Sequence, residues 1–141
     1  MSQNIIEIKD LSKTYPVGDQ DFFALNNANL SIKEGEIVAI LGPSGSGKST
    51  LLNILGGIDH ASSGSIAFDG MQIASLSNTK LTDYRRENIG FVFQFYNLIP
   101  SLTARENVGL ITRIAKNPMS PEEALGLVGL SDRADHFPSQ M

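Results

Sequence analysis

Residues 42–49 restrict the fold of this chain more than any other segment does. They read GPSGSGKS, which satisfies the pattern Gly, four residues of any kind, Gly, Lys and then Ser or Thr. The apolar run at residues 37–41 precedes them, and Leu and Ile at helical spacing follow between residues 51 and 58. This order predicts a buried strand, a glycine-rich turn and a helix that closes at Gly56 and Gly57.

The residue types in this turn indicate a phosphate site. Glycines let the backbone fold around a phosphate with its N–H groups pointing inward, and the following helix adds the partial positive charge of its N-terminus. Lys48 would reach the β and γ phosphates, and the Ser49 hydroxyl would bind magnesium. A flexible Gly/Ser turn is the alternative, but chance gives this pattern in such a chain less than about one time in a hundred. We therefore expect nine consecutive residues to bind a nucleotide triphosphate with Mg²⁺: Gly42, Pro43, Ser44, Gly45, Ser46, Gly47, Lys48, Ser49 and Thr50.

Composition narrows the class of protein. The 141 residues suit one domain, and their net charge of −4 with scattered Lys and Arg does not favour nucleic acid as a partner. Because the chain has no cysteine, disulfides and thiolate metal sites are excluded, and the cytoplasm is the expected compartment. No apolar run approaches the roughly 18 to 20 residues that span a bilayer, and the N-terminus does not read as a secretory signal.

The remaining patterns predict strands first and helices later. Alternating residues 6–9 predict a strand, and residues 23–32 predict two strands interrupted at Asn26 and Asn27. Residues 66–73 read as a hairpin turning at Asp69-Gly70, residues 77–87 as a capped helix, and residues 89–93 as a buried strand.

The last third of the chain reads as two helices. Thr103 and Glu106 form a capping box for a helix that presents Val108, Ile111 and Ala115 on one face. The segment at residues 120–123 starts a second helix with proline in its first position, and Gly129 ends it.

Taken together, several stretches resemble the first part of an ATP-binding cassette (ABC) transporter ATPase domain, close to the lipoprotein-release and macrolide-export ATPases. They are LSKTY at 11–15, the phosphate loop, SGSI at 63–66, RRENIGFVFQ at 85–94 and NLIPSLTARENV at 97–108. The resemblance implies an α/β fold with a P-loop NTPase core, an N-terminal antiparallel β subdomain and the start of an α-helical subdomain. The expected bounds are 1–35 and 62–75 for the β subdomain, 36–61 and 76–94 for the core, and 95–141 for the helical part.

The resemblance also assigns roles to single residues. Tyr15 matches the aromatic residue that stacks on adenine, although residue type alone would favour packing on a sheet edge. Gln94 matches the glutamine that contacts magnesium and the attacking water, where residue type alone would favour a simple strand terminus. Residues 94–108 resemble the surface on which a transmembrane subunit docks. His60 and His136 lie near no other ligand-type cluster and read as surface residues.

Residues 1–141 depart from the family pattern in one respect. In the family, a signature loop, a magnesium-binding Asp, a catalytic Glu and a switch His would follow Gln140. Hydrolysis needs such a carboxylate and the signature loop of a second copy, so we expect these residues to bind magnesium-ATP without turning it over. A later strand would normally lie beside residues 37–41, and its absence predicts an uncovered apolar edge and self-association.

The function expected from these features is the ATP-binding subunit of an ABC transporter. Such a subunit would form a homodimer and lie peripherally on the cytoplasmic face of a membrane, beside a transmembrane partner. Two alternatives remain at this point: a non-catalytic, truncated nucleotide-binding regulator, and another P-loop protein such as a small-molecule kinase. A kinase would usually keep an arginine-rich lid and would not need Tyr15 or the Gln94 segment. The transported substrate is not visible in the sequence.

Overall fold

A computed structural model describes residues 3–141 of the chain. The chain divides into two compact units, of which the first ends at Arg85 and the second begins at Arg86. Within residues 3–141, no helix is both long enough and apolar enough to cross a bilayer. The bounds predicted for the three subdomains stay predictions.

The first unit contains a four-stranded antiparallel sheet in the order β2-β1-β3-β4. Its strands are β1 (Asn4–Val17), β2 (Gln20–Lys33), β3 (Ser63–Phe68) and β4 (Met71–Gln72). Helix α1 (Lys48–Leu55) follows the glycine-rich turn, and helix α2 (Asn78–Asn88) begins in this unit. The buried apolar side chains of the unit are Ile8, Leu11, Leu25, Ile54, Ile66, Ile73, Leu81 and Tyr84.

Strand β2 is continuous, whereas the sequence predicted two strands interrupted at Asn26 and Asn27. The ladder with β1 shifts its register here, because Leu11 pairs with Ala28 and Lys13 pairs with Leu25. Asn27 adopts a left-handed φ of 50° at this shift. The buried Ser12 hydroxyl accepts the Asn27 backbone N–H at 2.9 Å and donates to its side-chain oxygen at 3.2 Å. This hydrogen-bonded irregularity lets the strand continue through a polar pair.

The hairpin predicted at Asp69-Gly70 is confirmed, with Phe68 paired to Met71 across the turn. Both turn residues have positive φ, as the short hairpin turn requires. The helix after the phosphate loop and the helix from about Ser77 are confirmed as α1 and α2. The Tyr84 hydroxyl on α2 donates to the Leu55 carbonyl at 3.0 Å, and the Tyr84 ring meets Phe68 edge-on at 5.4 Å between centroids. This single side chain therefore connects α2 to both α1 and the sheet.

The buried strands predicted at residues 37–41 and 89–93 are wrong for this structure. Neither segment forms a strand, and Ile37, Leu41 and Val92 are 99%, 89% and 100% exposed. A strand forms only where a neighbouring chain segment accepts and donates its backbone hydrogen bonds. Among residues 3–141, no segment pairs with either run. An apolar run indicates a preference for burial, but it does not supply the neighbouring segment with which a strand must pair.

The second unit is helical, as predicted, with α3 (Ala104–Thr112) and α4 (Pro121–Leu127) followed by two short 3₁₀ turns at Ser131–Arg133 and Pro138–Gln140. Thr103 and Glu106 form the expected capping box, and the Ser120 hydroxyl caps α4. Helix α3 ends at Thr112, before the predicted Ala115. The core of this unit consists of Ala104, Leu125 and Ala134, with Val108 and Leu130 packed against it.

Gly64 provides a direct test of the sheet geometry. A Cβ atom there would lie 2.4 Å from the Asp10 carbonyl oxygen at a φ of +89°, whereas one at Gly18, with a φ of +62°, would meet nothing within 4 Å. We expect Gly18→Ala to lower the free energy of unfolding by about 1 kcal/mol through backbone strain alone. Gly64→Ala should cost about 2–4 kcal/mol because steric overlap adds to that strain. Thermal or denaturant unfolding measures both changes, and equal losses would contradict the close approach of β1 and β3.

The exposed apolar segment at residues 37–41 predicts self-association of the 141-residue chain, because apolar surface left in water favours contact with a second copy. Light scattering over a range of concentrations should show a rising mean mass. Replacing both Ile37 and Leu41 by Asp should reduce that rise, whereas Val17→Asp, an apolar-to-acid change in the first hairpin, should not. A monomer at every concentration would show that this segment does not drive association.

Candidate nucleotide-binding site

A groove of about 540 Å³ lies in the first unit between the sheet and the phosphate loop. Its volume falls within the range of roughly 300–1,000 Å³ common to small-molecule sites. The sheet contributes Tyr15 from β1 and two residues of β2, Phe22 and Ala24. The other wall is residues 44–50, which include seven of the nine residues predicted to bind the triphosphate.

The phosphate loop depends on glycine at defined positions. Gly45 and Gly47 have φ values of +80° and +90°, a region that other residues rarely adopt. A Cβ atom on Gly47 would also lie 2.4 Å from the Ala24 carbonyl oxygen, and one on Gly42 would lie 2.5 Å from Ser46 Oγ. The left-handed φ values favour glycine at positions 45 and 47, and the close approach to β2 leaves no room for a side chain at position 47.

The Lys48 ammonium group lies over the loop. It donates hydrogen bonds to the carbonyl oxygens of Gly42 at 2.7 Å and Pro43 at 2.6 Å, and it lies 3.2 Å from Ser46 Oγ. These partners are neutral, and a phosphate oxygen would form stronger, charge-assisted bonds with the same group. The position predicted for the lysine is thus compatible with an incoming phosphate.

The N-terminus of α1 also suits an anion. Gly47 at the N-cap carries no side chain to cap the helix, and the first turn contains no acidic residue. The first N–H groups of a helix have no partner within the helix, so they are available to phosphate oxygens. Ser49 and Thr50 lie in this turn and line the groove.

The oxygen donors at this site suit a magnesium ion that arrives with a nucleotide. Residues 3–141 contain no group of three or more His, Cys, Asp or Glu arranged to hold a metal. Mg²⁺ commonly binds through substrate phosphates and a few protein oxygens while it keeps several waters. The donor set therefore fits a magnesium that arrives with a triphosphate and takes the Ser49 hydroxyl as a protein ligand.

Tyr15 lies at the sheet side of the groove and is 40% exposed. Its hydroxyl donates to Asp59 Oδ2 at 2.8 Å, and Lys13 Nζ lies 2.8 Å from Asp59 Oδ1 and 4.9 Å from the centre of the Tyr15 ring. The hydrogen bond to Asp59, with smaller contributions from burial and the carboxylate charge, raises the pKa of Tyr15 above its ordinary value. Partial burial acts to raise the pKa of Asp59, but hydrogen bonds from Lys13, Tyr15 and the His60 N–H together lower it.

Phe22, which lines this groove, and Asp59, which bonds to Tyr15, were not predicted from the sequence. Phe22 could have been found from the register, since a turn at residues 18–19 places Phe22 opposite Tyr15. Asp59 had no such signal, because 44 residues separate it from its partner Tyr15. His60 participates only through its backbone, whose carbonyl accepts from Lys13 at 2.7 Å.

Gln94 lies in the second unit, exposed and outside regular secondary structure, so its part in magnesium binding stays a prediction. The next two residues, Phe95 and Tyr96, are largely exposed. Further along, the Asn107 side chain holds a loop in place: it accepts the Ile99 N–H at 2.8 Å and donates to the Leu102 carbonyl at 3.0 Å. The segment at 94–108 thus combines an exposed apolar end with an ordered loop.

Comparison with known proteins gives similar sequences over nearly the whole chain. Macrolide export ATP-binding/permease protein MacB of Burkholderia pseudomallei is 45% identical over the full chain, which spans 22% of that protein. Uncharacterized ABC transporter ATP-binding protein MJ0796 of Methanocaldococcus jannaschii is 46% identical over 97% of the chain, which spans 62% of that protein.

A solved structure shares the fold. The dimeric, post-hydrolysis state of the ATP-binding cassette MJ0796 bound to ADP and Pi superposes with a TM-score of 0.84 and 44% identity. The match covers 96% of this chain and 62% of that one. The predicted class, a partial α/β P-loop NTPase with an antiparallel β sheet, is thereby confirmed.

The family assignment follows from the site, the fold and the sequence together. Residues 25–141 match the sequence profile of the family described as ABC transporter, a range that includes the whole phosphate loop and continues past Gln94. The resemblance seen in the sequence is confirmed, and the chain belongs to the ABC transporter family as part of its ATP-binding cassette.

Proposed function

We propose that this chain is the nucleotide-binding part of an ABC transporter ATPase and that it binds magnesium-ATP in the groove between Tyr15 and the phosphate loop. The observation that carries the proposal is the continuity of this groove. An aromatic wall, suited to a base, and a cationic glycine-rich loop, suited to phosphates, line the same cavity. A nucleoside triphosphate has these two parts in one molecule.

At the phosphate end, Lys48 would exchange its bonds to the Gly42 and Pro43 carbonyls for bonds to phosphate oxygens. Each exchange replaces a neutral acceptor by a charged one, which strengthens the hydrogen bond. The N–H groups at the start of α1 add further donors, and Ser49 offers a ligand to magnesium. The bound Mg²⁺ would neutralise phosphate charge, as it does generally in P-loop proteins.

At the base end, Tyr15 and Phe22 provide aromatic surface from paired positions on β1 and β2. Base stacking on an aromatic side chain is worth about 1–3 kcal/mol and tolerates different bases. The groove should therefore hold the base mainly by stacking.

For the complete protein, we propose that ATP binding and hydrolysis are coupled to transport. The exposed residues after Gln94 and the ordered loop held by Asn107 support docking of a transmembrane subunit on residues 94–108. The names of the relatives, which include an export ATP-binding/permease protein, support such a partner. The dimeric cassette structure supports a homodimer. This arrangement would place the chain on the cytoplasmic face of the membrane.

The two alternative functions are less well supported. A small-molecule kinase would share the phosphate loop but not the similarity to transporter ATP-binding proteins over nearly the whole chain. No observation specifically favours a regulatory nucleotide-binding protein.

The contribution of Lys48 to ATP affinity can be measured directly. Lys48→Ala removes charge-assisted contacts worth about 1.5–3 kcal/mol, so ATP affinity should fall about 10- to 150-fold in calorimetric titration with Mg²⁺ present. Lys80→Ala, which removes a lysine from α2 outside the groove, should leave the affinity unchanged. Equal affinities of the wild type and Lys48→Ala would refute the assignment of Lys48.

The stacking role of Tyr15 makes a separate prediction. Tyr15→Leu should weaken ATP and GTP binding by similar factors, about 5- to 150-fold, because every base presents a π-face to the ring. Inorganic tripolyphosphate, which has no base, should bind equally well to both proteins. Competition with a fluorescent nucleotide gives all three affinities. Strong discrimination by the wild type between ATP and GTP would reveal a group that reads the base edge.

A further inference from the structure

Asp59 does not line the nucleotide groove, yet it contacts the side chain that forms the base end of it. We propose that Asp59, itself fixed by Lys13, is a positioning residue that holds the Tyr15 ring in the orientation needed to stack on a base. The inference rests on the proposed function, because it concerns how the same groove recognises ATP.

Tyr15 needs an anchor. Its ring is partly exposed and lies close to the end of β1, where packing constrains a side chain less than it does in a core. A free ring would exchange among rotamers, and ligand binding would have to immobilise it. The hydrogen bond from the hydroxyl to Asp59 Oδ2 holds the far end of the side chain before any ligand arrives.

Asp59 is itself held in place by hydrogen bonds. Its Oδ1 accepts hydrogen bonds from Lys13 Nζ at 2.8 Å and from the His60 backbone N–H at 2.7 Å. The Lys13 side chain is only 12% exposed, and its ammonium group also donates to the His60 carbonyl. With Oδ1 engaged in this way, Oδ2 is directed to the Tyr15 hydroxyl. The carboxylate is therefore a fixed acceptor rather than a mobile surface charge.

Lys13 distinguishes the two faces of the Tyr15 ring. Lys13 Nζ lies over the ring, 4.9 Å from its centre, within the distance of a cation–π contact. That contact occupies one face of the ring, so a base would stack on the opposite face. The same lysine thus orients the carboxylate and supports the ring from behind.

If Asp59 positions Tyr15, breaking their hydrogen bond should lower the affinity for ATP but not the affinity for tripolyphosphate. Tyr15→Phe keeps the aromatic surface but removes the bond to Asp59, so ATP affinity should fall about three- to tenfold, less than the loss on removing the whole ring. Affinity for tripolyphosphate should not change. Tyr84→Phe is the matched control: it removes a hydroxyl bond to the Leu55 carbonyl in the same unit, outside the groove. If Tyr84→Phe lowers stability, it should change the affinities for ATP and for tripolyphosphate by the same factor.

A second variant tests whether Asp59 acts through Tyr15. Asp59→Ala should give a similar selective loss of ATP affinity, and Asp59→Ala combined with Tyr15→Phe should be no weaker than either single variant. Asp69→Ala, at the β3–β4 turn, is the matched control. Should Asp59→Ala fail to fold, the comparison of Tyr15→Phe with Tyr84→Phe decides the question alone.

The outcomes separate this inference from the proposed function. Wild-type chain that binds neither ATP nor tripolyphosphate would overturn both. ATP binding that is sensitive to Tyr15→Leu and Lys48→Ala but unchanged in Tyr15→Phe would leave the proposed function intact and overturn the positioning role. Equal losses for ATP and tripolyphosphate in Tyr15→Phe would also overturn it, since the effect would then be structural.

Discussion

The close approach of Gly47 to the backbone of β2 is the contact on which the site depends. There is no room for a side chain between Gly47 and the Ala24 carbonyl, so the phosphate loop rests directly on the strand. Because Phe22 precedes Ala24 on β2 and pairs with Tyr15 on β1, the same contact sets the spacing between the aromatic wall and Lys48. A larger residue at position 47 would push the loop away from β2 and change that spacing.

The two ends of α1 are attached to the sheet by different kinds of interaction. At the N-terminal end the attachment is steric, through Gly47. Beyond the C-terminal end it is polar, because Asp59 bonds to Lys13 and Tyr15 of β1. Steric contact sets a distance, and paired hydrogen bonds set an orientation. In this groove, steric contact sets the distance of the phosphate loop from the sheet, and hydrogen bonds set the orientation of the aromatic ring.

The exposed apolar segments show how strongly sheet formation depends on partners. Residues 37–41 and 89–93 have the composition of buried strands, but they form no strand and are largely exposed here. By contrast, β1 and β3 are more than 40 residues apart in the sequence and still form a ladder, because each supplies the backbone hydrogen-bond partners that the other needs. The segment before the phosphate loop is not a strand. The conformation of the loop depends instead on its glycines and on the contact of Gly47 with β2.

The features that could be predicted from the sequence are local. The phosphate loop, the Asp69-Gly70 turn and the Thr103 capping box were all predictable, because each depends on residues within a few positions of one another. Three other features depend on tertiary contacts: the continuity of β2 through Asn27, the lack of strands at residues 37–41 and 89–93, and the bond between Tyr15 and Asp59. These features depend on contacts between residues far apart in the chain, and one sequence does not show which distant groups will meet. The physical reason is that local preference selects a conformation, whereas hydrogen-bond partners and steric room are supplied by the fold.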